Sequence, residues 1–209
     1  MPIQDTGTLT IYALGRDEAF ASLYVDGRDD FTVEVKQLFD GTPIADLPHL
    51  TLWRYAGDPY LPAGDLVNCG PAVLMSRRTV EVLGDILTAH GQLFPVASSE
   101  GEFFAYNVTT VVNALDWEHS DLEMDQQLRR EREAGVPREI HHVKRYWFHA
   151  DRVAGIDIFK LPEFPRYEVY VSDRFVRRVK RAGLHGFWFE RLWSPGDRLP
   201  DLRPRRLPG

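Results

Sequence analysis

PAVLMSRRTVEVLGDILTAHGQLFPVASSEGEFFAYNVTTVVNALDW, residues Pro71 to Trp117, is the stretch whose reading decides the fold. It opens on an unbroken apolar run, Ala72 to Met75, which suits a strand covered on both faces. Ser76 stops that run and predicts a helix cap, because its hydroxyl accepts a hydrogen bond from an orphan amide of a first turn. Val80, Leu83, Ile86 and Leu87 then follow at helical spacing as one apolar stripe. Gly91 ends the helix, and Leu93-Phe94-Pro95-Val96 returns as a strand. Pro95 has no N–H to give to a ladder, so this strand is expected at a sheet edge or to end there. Glu102–Val108 puts Phe103 and Ala105 on one face and Phe104 and Tyr106 on the other, which predicts an inner strand.

The same theme returns further on. Tyr167–Val171 alternates as a strand, Ser172 caps, and Phe175, Val176, Val179 and Ala182 form a helical stripe. Gly183 and Gly186 close that helix before the strand Phe187–Leu192. The order strand–Ser–helix–Gly–strand thus occurs twice. It predicts an α+β fold: a mixed, largely antiparallel sheet with two or three helices mainly on one face.

Outward from these units the pattern is weaker. Thr8–Ala13 and Phe31–Lys36 alternate as half-buried strands, the second after an Asp26-Gly27 turn, and Leu50–Tyr55 is a further candidate. Gly57 to Pro71 is rich in proline and glycine, which disfavours regular structure and marks the one internal candidate boundary. Ser120-Asp-Leu-Glu123 reads as a capping box opening a polar helix to about Ala134, closed by Gly135 and Pro137. His141–His149 reads as a strand. The expected division is 1–60 as N-terminal strands or a subdomain of the same fold, 61–193 as the core domain, and 194–209 as a flexible Pro/Arg-rich tail.

Bulk properties exclude several classes. The chain has 209 residues with 44 % apolar and 12 % aromatic residues, ample for a core. The single Cys69 cannot form an internal disulfide, which fits a reducing compartment. The N-terminus lacks the basic start and apolar block of a signal peptide, and no apolar run reaches the ~20 residues of a membrane helix. A cytoplasmic protein is expected. The net charge of −6 is unevenly distributed: residues 1–125 hold 6 Lys and Arg against 20 Asp and Glu, and residues 126–209 hold 19 against 11. Either the front half presents an acidic surface that steers a basic partner, or the two halves interleave and neutralise each other.

Motifs for chemistry are missing. There is no GxxxxGK[ST], GxGxxG or GxSxG. Cys69 has no local base and reads as a small residue at a strand entrance. His141 and His142 are adjacent, so on a strand they point to opposite faces and cannot share an ion. His119 with Asp121 reads as a capping arrangement, and no metal or cofactor is expected. Asp116 and Asp157 follow or interrupt apolar runs and read as structural, Asp157 as an acceptor for backbone amides. Arg174, Arg177, Arg178, Lys180 and Arg181 on the helix 172–182 are a candidate phosphate-binding face. The composition favours the solvated side of a core helix instead.

The ordered series Gly70-Pro71-Ala72-Val73-Leu74-Met75-Ser76, Leu93-Phe94-Pro95-Val96, Glu102–Val108, Val111–Asp116, Asp157–Leu161, Val171-Ser172 and Gly183–Phe189 resembles the eleventh immunity family of bacterial polymorphic-toxin systems. The likeness runs from about Asp65 to Leu192. It implies a non-enzymatic antidote that binds a cognate toxin domain, encoded nearby, in the cytoplasm of the producing cell, with no catalytic or metal-binding residues to carry over. If that toxin is basic, the exposed acids Asp26, Asp29, Asp30, Glu118, Asp121, Glu123 and Asp125 are the expected contact residues. A nucleic-acid-binding regulator using helix 172–182 is the alternative. An enzyme with Cys69 or carboxylates in a cleft is a third reading.

Overall fold

The computed structural model of the chain describes residues 9–25, 38–47, 49–54, 60–70, 72–123, 142–166 and 168–198. In chain order the first strands are β1 (Ile11–Arg16), β2 (Leu23–Val25), β3 (Thr51–Arg54), β4 (Leu66–Cys69) and β5 (Val73–Ser76). Helix α1 (Arg77–His90) leads to β6 (Gly91–Ser98), β7 (Phe103–Val108), β8 (Asp121–Glu123) and β9 (His142–Arg145). The short helix α2 (Ala150–Val153) precedes β10 (Ile158–Phe159) and β11 (Tyr170–Ser172), and α3 (Asp173–Ala182) precedes β12 (Phe187–Trp193). The α+β class and the largely antiparallel pairing are as the sequence predicts. The strands divide among a four-stranded sheet, β10-β11-β1-β12, a six-stranded sheet, β2-β3-β6-β7-β5-β4, and the pair β8-β9.

Both repeated units are split β-α-β crossovers. Strands β5 and β6 are each antiparallel to β7, so they run parallel to each other with β7 between them and α1 as the connection. Strands β11 and β12 are related in the same way about β1, with α3 as the connection. The likeness extends one strand further: β4 flanks β5, and β10 flanks β11, each antiparallel.

The helix starts match atom for atom. The Ser76 hydroxyl accepts from the Thr79 amide at 3.2 Å and donates to Asp65 at 2.8 Å, while Arg78 pairs with the other oxygen of Asp65 at 3.1 Å. The Ser172 hydroxyl accepts from the Phe175 amide at 3.2 Å and donates to Asp157 at 2.6 Å, while Arg174 pairs with its other oxygen at 2.8 Å. The Ser76 and Ser172 amides donate to the carbonyls of those same aspartates. Asp157 therefore serves a hydroxyl and a guanidinium, not the backbone amides expected of it; the Ser-x-Arg spacing puts both donors in reach at once.

The two helices lie side by side. Leu83, Ile86 and Leu87 of α1 share a core with Phe175, Val176 and Val179 of α3, and with Val73, Met75, Tyr106, Leu14 and Val171 from the two large sheets. Arg178 joins the helices, reaching Asp85 at 2.5 Å and the Val82 carbonyl. The opposite face of the six-stranded sheet packs Leu74 and Ala105 under Phe39, Ile44 and Leu50. The opposite face of the four-stranded sheet packs Ile11 and Tyr170 against Phe148, Phe159 and Trp193. Side chains alternate between faces along a strand, so β5 and β7 serve two cores each.

Several local expectations change. β1 starts at Ile11 and is an inner strand with cores on both faces, not a half-buried one. β6 also runs between neighbours, but β3 pairs only with its end, Ala97 and Ser98. Pro95 pairs with β7 on one side only, and nearby the Gln92 amide replaces a strand by bonding both the N–H and C=O of Ile44. The Pro/Gly-rich stretch contains β4, because the buried pair Leu66 and Val67 outweighs local breakers on an edge strand. Residues 121–123 form β8, not a helix start: the Ser120 hydroxyl is taken by the backbone of Trp147, from which it accepts at 3.0 Å and to which it donates at 3.3 Å. The strand expected over 141–149 is shorter, ending at Arg145 before α2. The strand expected over 31–36 and most of the helix after 123 lie outside the described residues, as does the end of the chain from 199.

Candidate functional site

The loop between β7 and β8 carries Glu118, and β8 itself carries Asp121 and Glu123, the described members of the expected acidic surface. Asp116 organises it: one carboxylate oxygen accepts from the amides of Glu118 at 3.0 Å and His119 at 3.2 Å. The other oxygen contacts His119 Nδ1 at 2.8 Å. Burial pushes the Asp116 carboxyl up, yet the hydrogen bonds from His119 and the amides outweigh it and hold the group below its ordinary value. The loop is tied to the body through Asp116 N–H and Ser120, both on Trp147, and through Trp117 Nε1, which donates to Glu163 at 3.0 Å. Trp147 in turn stands edge-on to Trp193.

On this frame Glu118 and Asp121 are exposed. The backbone of Glu123 pairs with His142 in β8-β9. Asp26, Asp29, Asp30 and Asp125 lie outside the described residues. Asp121 stands opposite Arg145 in the β8-β9 register, a basic neighbour hidden by the helical reading of this segment. His119 pairs with Asp116, not with Asp121 as its spacing suggested.

The basic face of α3 is largely spent within the protein. Arg174 pairs with Asp157, Arg177 with Asp173, and Arg178 with Asp85, while Lys180 and Arg181 are exposed. Three neutralised arginines make a poor footprint for phosphates. Among the described residues no group of three or more His, Cys, Asp or Glu is placed to hold a metal ion. No helix among them is long and apolar enough to cross a membrane.

What the arrangement offers chemically is two exposed carboxylates, Glu118 and Asp121, on a backbone held by a hydrogen-bonded frame. Residues 26–193 match the immunity protein family Imm11. The match reaches back past Asp65 to include β3 and the segment before it, and it leaves out β1 and β2. No curated protein matches the chain. With most of its length covered by that match, the chain belongs to the Imm11 immunity protein family.

Proposed function

We propose that this protein neutralises a bacterial toxin domain by binding it in the cytoplasm of the producing cell, without catalysis. Membership of the immunity family carries the reading. The framed loop supports it, since a backbone that needs no ordering on association lowers the entropy lost when a basic partner docks. We assign the contact to Glu118, Asp121 and Glu123, together with Asp26, Asp29, Asp30 and Asp125. The test is co-expression with the toxin domain encoded beside this gene. Growth should be restored, and the purified proteins should form a stoichiometric complex. Continued killing, with no complex between the purified partners, would overturn the reading.

A further inference from the structure

Among the described residues β12 is an edge strand, and Trp188 near its start keeps 50 % of its surface in solvent. The register of the four-stranded sheet sets Tyr170, Ala13 and Glu190 in one row across β11, β1 and β12. In the next row on that face Gly15 stands opposite Trp188, and Glu168, two residues before Tyr170, falls on the same side. The middle of the face is therefore Ala13 and Gly15, too small to fill it. Trp188 lies across Gly15 so closely that a Cβ there would come within 2.6 Å of its ring. A groove of about 260 Å³ opens over Ala13, between Glu168 and Glu190, with Tyr146 at its side.

Glu168 is fixed in this groove. Tyr146 donates to its Oε2 at 2.5 Å, and Tyr170 donates to the same oxygen. Burial first, then the charge of Glu168, pushes the Tyr146 hydroxyl up, so it stays a donor. Three cations also line the groove: Lys144, Arg145 and Arg191. Arg191 pairs with Asp197 at 2.5 Å, Arg145 stands opposite Asp121, and Lys144 is exposed at the rim. With Arg191 paired to Asp197, Glu168 and Glu190 are the acids of the lining, and through Arg145 the groove adjoins the acidic loop.

We propose that this groove receives an arginine or lysine side chain from an extended segment of the toxin laid along β12. The inference rests on the toxin-binding reading and adds the chemistry of the contact. The cation sits between Glu168 and Glu190, and its stem or guanidinium plane covers the Trp188 indole. An exposed tryptophan beside carboxylates suits this in two ways: its face attracts cations, and large aromatics dominate interface energetics. The outer edge of β12 offers main-chain groups for strand addition.

Affinity for the toxin domain encoded beside the gene tests this, using the full chain, Glu190→Lys, Trp188→Ala and the control Glu81→Lys on α1. Glu190 is exposed, so the melt of Glu190→Lys should match the wild type, and Trp188→Ala, beside the groove and half-exposed, should stay folded. Each groove variant should bind roughly tenfold more weakly or worse, with the control near wild type. Wild-type affinity in both groove variants would overturn the groove and leave the toxin reading intact. A second measurement needs no toxin: N-acetyl-arginine N-methylamide should shift the Trp188 indole N–H resonance in the wild type but not in Glu190→Lys, and the glutamine analogue should not shift it. An unmoved resonance overturns the groove's cation preference. A wild-type chain that shifts with arginine but binds no toxin overturns the toxin reading instead.

Discussion

Gly186 sits where the two large sheets meet. Its φ of 85° is left-handed, and a Cβ would run into the Leu66 carbonyl oxygen and crowd Gly64 Cα at 3.2 Å. Gly186→Ala should therefore cost about 2–4 kcal/mol, read from urea denaturation, since backbone strain and overpacking act together. Glu163 poses a different problem. It is 7 % exposed, accepts one hydrogen bond from Trp117, and its Oε2 has no partner among the described residues. Burial pushes its carboxyl above the ordinary 4.5. A raised value means the folded state holds the proton more tightly, so this contribution is full below pH 4.5 and is lost as pH rises through the folded value. Glu163→Gln should then raise Tm relative to wild type more at pH 7 than at pH 4. An equal or larger gain at pH 4 would refute the assignment.

At the scale of elements, the two capped helices make a matched experiment. Ser172 is buried and Ser76 only half-buried, yet both bridge a helix amide to a buried aspartate. Ser172→Ala should cost about 1–2 kcal/mol, through the lost cap and the donor withdrawn from Asp157. Ser76→Ala should cost less, because Ser76 is only half-buried and Asp65 keeps the His185 amide as a donor besides Arg78; equal losses in denaturant would argue against that difference. The caps were legible in advance because a serine between an apolar run and a helical stripe has few other uses. The capping box at Ser120 had the same local form and failed, because Trp147, 27 residues away, took its hydroxyl. A short polar pattern has no apolar stripe to enforce its choice.

Across the whole molecule the acidic front half and basic rear half interleave: β1 lies between β11 and β12, and Asp85 pairs with Arg178. The long-range field is thereby reduced, and local acids such as Glu118 and Asp121 matter more than the net charge. A Glu118→Lys, Asp121→Lys double variant should associate more slowly with a basic toxin and show a shallower salt dependence in stopped-flow measurements. An unchanged rate would remove this loop from the contact.

By itself the sequence determined the two strand–Ser–helix–strand units, their inward stripes and the α+β class, because periodicity and capping act within about twenty residues. Tertiary structure alone decided which strand completes each unit. β7 follows its own unit closely, but β1 enters the other from more than 150 residues away, and pairing over that distance leaves no local trace. The groove has the same origin. Ala13 and Gly15 are unremarkable small residues until the register brings Glu168, Trp188 and Glu190 around them.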